Sequence, residues 1–178
     1  DYPLTAQRLP ADLRIQSSPV EIQDRFFLPY ANDLFIPQGT ATRVDVSEGE
    51  EVPFVYVSYY HRTRQGTIGL QNSIVVEMSA RTGLVRRTFR LMGQLAYSHA
   101  GGVAYSHDAL YISSEGVLER YPLPEWDSSN PVKYVDLEAD LDGTIRTPSK
   151  ASFVSAFRDM LWVGDYRTSS DTAPFLFA

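Results

Sequence analysis

The chain has 178 residues, 43% of them hydrophobic and 21% charged, enough for a globular protein with a core. A formal charge of −6 with dispersed basic residues argues against nucleic acid or an anionic membrane surface as partner, since phosphate binding needs clustered Lys and Arg. The absence of cysteine excludes a disulfide framework, a thiolate metal site and a cysteine nucleophile, and no apolar run approaches the ~18 residues of a membrane helix.

In chain order, residues 1–20 carry Pro3, Pro10 and Pro19 with little periodicity and read as an extended arm laid over the body. Residues 24–36 hold two strand-like pieces, Arg25–Leu28 and Asp33–Ile36, expected to form the outer strand of a unit whose inner strands lie elsewhere. A short unit then recurs three times: Pro53–Tyr59 (PFVYVSY), Ala109–Ser114 (ALYISS) and Met160–Asp165 (MLWVGD), with Tyr56, Tyr111 and Trp162 at offsets of 55 and 51 residues. Each copy is a β-branched and aromatic run of strand length. Small-residue segments lead into them, and His99 to Tyr111 and Lys150 to Trp162 are both 12 residues. Repeats of this length made of short strands predict an all-β, β-propeller-like fold.

Residues 1–36 are thus an arm with short strands, and 37–178 an incomplete propeller with blades over about 37–92, 97–138 and 149–178. The first blade is expected to contain strands Thr40–Val46, Val52–Tyr59, Ser73–Met78 and Val85–Leu91, with hairpin loops at Ser47–Glu51 and Ser79–Gly83. Alternation along the last strand puts Arg86 and Arg87 on opposite faces, which denies them a common patch. The second blade is expected over Gly102–Tyr105, Ala109–Ser113, Val117–Leu123 and Val132–Leu137, with Pro122–Pro131 as a loop. The third begins with Ala151–Phe157 and Leu161–Gly164 and breaks off at Pro174–Ala178. Between two and a half and three blades cannot close a ring, so the remaining blades are expected from the same parent protein or from a partner chain. A small β-sandwich is the alternative fold.

The segments Pro37–Gly39, Val57–Tyr60, Asn72–Glu77, Thr82–Gly83 and Ser98–Ala104, with Leu161–Tyr166, resemble in order a largely uncharacterised group of secreted bacterial propeller-like proteins. The resemblance spans roughly 37–178, with Ser-His-x-Gly-Gly as its most specific motif. It implies a propeller and a secreted or cell-surface location; it implies no catalytic residue.

In a propeller, the loop leading into each innermost strand and the loop joining the second and third strands open on one face around the channel, where ligand sites gather. Gln38, His99 and Lys150 occupy the first kind of position. Tyr60, His61, Arg62, Ser114, Glu115, Asp165, Tyr166 and Arg167 occupy the second. His99 is the candidate base, with Ala100, Gly101 and Gly102 allowing close approach of a ligand; otherwise it locks one blade to the next and the glycines serve packing. Gln38, Tyr60, His61, Asn72, Lys150, Tyr166 and Arg167 are the candidate ligand contacts. Glu115 and Asp165 are candidates for an axial cation, or for ion pairs with Arg167 or Lys150.

No zinc spacing exists, and Asp140–Gly143 lacks the downstream glutamate of an EF-hand, so a plain turn is expected there. No cofactor is expected, calcium being the one ion the acidic residues leave open. No nucleophile elbow or glycine-rich phosphate loop is present. The expected function is a non-catalytic exported binding or scaffold propeller that engages a protein or glycan through its channel face. The alternative is a cation-dependent hydrolase or lactonase, using Glu115, Asp165 and Asn72 around the ion and His99 as base.

Overall fold

A computed structural model describes residues 26–31, 34–62, 71–127, 129 and 133–166, and the backbone of 176–177. The expected arm over residues 1–20 and Arg167 lie outside the described residues. The fold is all-β: twelve strands among the described residues form three sheets, with one short 3-10 turn at Gln94–Tyr97.

Sheet one runs β1 (Phe35–Ser47), β2 (Glu50–His61), β3 (Ile74–Ser79) and β4 (Val85–Leu91), each antiparallel to the next. Sheet two runs β5 (Gly102–Ser106), β6 (Ala109–Ser114) and β7 (Val117–Pro122), likewise antiparallel. Two-residue turns close the β1/β2 and β6/β7 hairpins. Glu48 and Gly49 (φ 52° and 81°), and Glu115 and Gly116 (φ 53° and 81°), both sit in the left-handed region. That is the hairpin geometry whose twist matches the flanking strands, and glycine takes the second position without a side-chain clash.

The β-branched and aromatic residues of these strands alternate between two buried layers. Tyr56, Val75, Phe89 and Leu91 of sheet one meet Val103, Leu110, Ile112 and Tyr121 of sheet two in one cluster. Full burial of each such side chain stabilises by about 1.5–3 kcal/mol. Sheet two then packs its other face, through Ala104 and Leu118, on Val154 and Val163. Those residues belong to sheet three, formed by β10 (Phe153–Phe157), β11 (Met160–Gly164) and β12 (Leu176–Phe177). The outer face of sheet one is covered by Phe26 and Tyr30, over Val57, Tyr59, Ile74, Val76 and Met78.

Three details depart from the pattern read in the sequence. Phe35 and Ile36 do not belong to a separate strand; they begin β1, and a register shift between Pro37 and Thr40 absorbs the proline and Gly39. Tyr134–Leu137 does not complete sheet two. As β8 it runs parallel to β4 at the edge of sheet one, and β9 (Thr144–Arg146) closes sheet two instead. Arg90 grips Asp136 through two parallel hydrogen bonds (2.7 and 2.5 Å), and Leu137 is buried with Phe89 and Leu91, which fixes this choice of edge. Finally, Arg86 and Arg87 do not diverge. A shift in the β3/β4 register beside Glu77 puts both guanidinium groups on that carboxylate.

Candidate ligand-binding cavity

The first strands of the three sheets, β1, β5 and β10, lie next to one another, with β5 in the middle. Glycine allows the approach. A Cβ on Gly39 would stand 2.9 Å from the Val103 nitrogen, and one on Gly102 would stand 2.4 Å from the Val154 nitrogen. A Cβ on Gly101 would come within 2.6 Å of the Ser152 carbonyl oxygen. Of the two roles open to these glycines, the structure displays sheet-to-sheet packing.

Buried serines hold this junction. Ser58 Oγ accepts from the Gly39 amide (3.0 Å) and donates to the Ala100 carbonyl (2.9 Å), tying β1 and β2 to the segment before β5. Ser73 Oγ donates to the Ser98 carbonyl (2.7 Å), while Ser98 Oγ donates to the Leu95 carbonyl and accepts from the Ala100 amide. Glu119, buried, accepts from the amides of Gln94 and Leu95 (3.2 and 3.1 Å) and from the Tyr121 hydroxyl (2.6 Å). Burial first, then this carboxylate, pushes the Tyr121 phenol far above its ordinary range. His99 therefore projects from a backbone anchored on both sides.

At the mouth of the junction lies a cavity of about 840 Å³, walled by strand ends and turns of all three sheets. Gln38, His99, Ser114, Glu115, Lys150, Asp165 and Tyr166 line it, although they are spread over more than a hundred residues of sequence. The Glu115–Gly116 turn sets the position of Lys150, because the Gly116 amide donates to the Lys150 carbonyl (2.8 Å) and the Thr147 amide to the Gly116 carbonyl (3.0 Å). His99 Nδ1 stands 3.6 Å from Glu115 Oε1, and the His99 ring meets Tyr60 edge-on at 4.9 Å between centroids. Asp165, just past β11, has its Oδ1 buried without a hydrogen-bond partner among the described residues.

Other candidates stand apart. Asn72 is absent from the lining; its amide donates to the Leu91 carbonyl (2.7 Å), so it braces sheet one. His61 packs edge-on against Phe35 at 5.2 Å and is absent from the cavity lining. Tyr60 reaches the cavity only through His99. Among the described residues no group of three or more histidine and carboxylate side chains is close enough to hold a metal ion. Asp140–Gly143 forms a turn, with the Gly143 amide on the Asp140 carbonyl (2.9 Å) and the Asp140 carboxylate paired with Arg120 (2.8 Å).

The sequence reading missed Phe153, Ser149 and Ser152 in the lining. Their proximity to Lys150 was the available signal. It also missed a buried charge network in sheet one. Glu77, fully buried, accepts from Arg87 (3.2 and 2.8 Å) and from the Tyr56 hydroxyl (2.8 Å), and Arg86 stands 3.4 Å away. The Arg86 guanidinium lies between the rings of Phe54 and Trp126, at 4.6 and 4.4 Å. Arg87 also donates to the Pro124 carbonyl (2.7 Å), so the network fastens the β7–β8 link to sheet one.

No family model matches the chain, and no curated protein matches it significantly.

Proposed function

We propose that the three sheets are successive blades of a β-propeller, and that the chain is a binding module taking a glycan or protein ligand at the cavity where they converge. The observation that carries this reading is the meeting of side chains from three separate sheets in one cavity of about 840 Å³, within the size range of ligand pockets. The blade reading draws support from a register repeated three times. Ala41 pairs with Tyr56, Ala104 with Tyr111 and Ser155 with Trp162, each a small residue on the first strand opposite an aromatic on the second.

Binding fits the site better than chemistry. His99 and Glu115 are 51% and 61% exposed, so their partnership is bathed in water, whereas acid–base and electrostatic catalysis gain their force from water exclusion. The resemblance to secreted propeller-like proteins adds export to this reading.

Amide chemical-shift mapping during titration with oligosaccharide and peptide panels tests it. Shifts are expected at residues 99–101, 114–116, 149–152 and 165–166. A ligand that shifts only amides remote from these segments refutes the assignment.

A further inference from the structure

Resting on the binding reading above, we infer that the cavity is built for a neutral saccharide, with a sugar ring against Tyr166 and Phe153 and a hydroxyl donated to the Asp165 carboxylate. Three properties of the wall select this class.

The first is the pair of aromatic rings. Phe153 and Tyr166 line the cavity beside charged and hydroxyl side chains, yet they are 44% and 74% exposed. Solvent-facing aromatic surface of this size is costly to leave wet, at about 25 cal/mol for each Å². A pyranose offers a flat C–H face to such a ring while its rim of hydroxyls faces polar neighbours, the same division of apolar body and polar edge that a tyrosine has.

The second is the orphan acceptor. Asp165 lines the cavity, and its buried Oδ1 has no donor among the described residues, so this carboxylate is left to be satisfied by an N–H, O–H or cation that reaches it from the cavity. A sugar hydroxyl supplies an O–H there and still accepts from a donor such as the Lys150 ammonium on the same wall.

The third is charge. Among the described residues of the wall, two carboxylates, Glu115 and Asp165, accompany one lysine and the His99 imidazole, and His99 lies against Glu115. Such a wall repels phosphorylated, sulfated or uronic ligands and gives no excess of positive charge to hold them. A peptide would add to an unpaired strand edge or drop side chains into apolar pockets, and this cavity is walled by turns and strand ends instead.

The test is isothermal titration of the intact chain with neutral hexasaccharides of glucose, xylose, mannose and N-acetylglucosamine. Oligogalacturonate serves as the anionic probe, and a random peptide library forms a separate arm. One or more neutral saccharides is expected to bind, with Tyr166→Ala and Asp165→Ala each weakening it at least ~10-fold, about 1.4 kcal/mol. Leu141→Ala, at a side chain 97% exposed outside the cavity lining, should bind as the parent does. Circular dichroism of each variant separates loss of contact from loss of fold. Preference for oligogalacturonate, or neutral binding indifferent to both cavity variants, overturns the inference. Binding of peptides alone overturns it while leaving the binding module intact. If neither sugars nor peptides bind, both readings fall.

Discussion

Replacing Gly102 by alanine probes the closeness of sheets two and three, on which the geometry of the cavity depends. The added methyl would stand 2.4 Å from the Val154 nitrogen, 2.7 Å from Phe153 Cα and 2.7 Å from Ser113 Oγ. The serine hydroxyl can rotate aside, but the other two atoms are backbone in a paired strand. Ordinary contact begins near 3.4 Å, so β10 must retreat by about 1 Å. Overpacking of this kind costs about 1–3 kcal/mol, and backbone obstruction on one side puts Gly102→Ala at the upper end, about 3 kcal/mol. For a chain of this length, about 2–4 °C of Tm per kcal/mol gives a fall of about 6–12 °C. Gly49→Ala is the comparison. Its φ is +81° and nothing lies within 4 Å of the added carbon, so only backbone strain of about 1 kcal/mol applies. Scanning calorimetry of the three proteins decides the matter. A Gly102→Ala protein melting no lower than Gly49→Ala would mean that β5 and β10 are not in this contact.

The buried network gives a second expectation: Glu77→Gln should cost about 3–5 kcal/mol in urea unfolding, because Arg87 remains buried without its counter-charge. A loss under 1 kcal/mol would show that water reaches the site. The tyrosines give a third. Burial raises the folded-state pKa of Tyr30 to about 12 and those of Tyr56, Tyr59 and Tyr121 further, against about 10 in the unfolded chain. Their contribution to stability is complete below pH 10 and is lost as pH climbs through the folded values, so these phenols should ionise only as the protein unfolds. A single phenolate transition near pH 10 for all tyrosines, read by ultraviolet absorbance, would contradict their burial. Lastly, Arg90→Ala should release β8: faster amide exchange is expected at residues 134–137, with little change in global stability because the Arg90–Asp136 pair is exposed. Unchanged exchange would assign the edge to Leu137 alone.

Much of the fold was legible because local chemistry and tertiary packing agree. The strands around Tyr56, Tyr111 and Trp162 are β-branched and aromatic, and the Glu115–Gly116 turn has the glycine its geometry needs. Edge choice was not legible. Tyr134–Leu137 is a four-residue strand, and nothing local says which sheet it joins; Asp136 and Leu137 decide by reaching Arg90 and the Phe89–Leu91 core, more than forty residues back. Nor does alternation announce a bulge. The rule that separates Arg86 from Arg87 holds only while the register does, and the buried Glu77 opposite them is reason enough for it to slip, since an unpaired carboxylate there costs more than a disturbed ladder.

The cavity was partly legible for a geometric reason. Gln38, His99, Lys150, Glu115 and Asp165 resemble one another in no motif; His99, Lys150, Glu115 and Asp165 lie outside strands, beside strand ends, and Gln38 lies at the irregularity of β1. Their sheets pack side by side through β1, β5 and β10, which brings these positions to one cavity. Phe153 escaped because it departs from the repeat. It precedes its small residue, Ser155, by two, where Gly102 precedes Ala104 and Gly39 precedes Ala41. In the first two units that position is kept bare so that the next sheet can approach, and Gly102 rests on Phe153 itself. In the third, the ring lies over Gly164 and lines the cavity. Loss of the glycine removes one close backbone approach and places an aromatic ring in the wall, so the position that departs from the pattern of the first two sheets is the one that adds a large apolar side chain to the cavity.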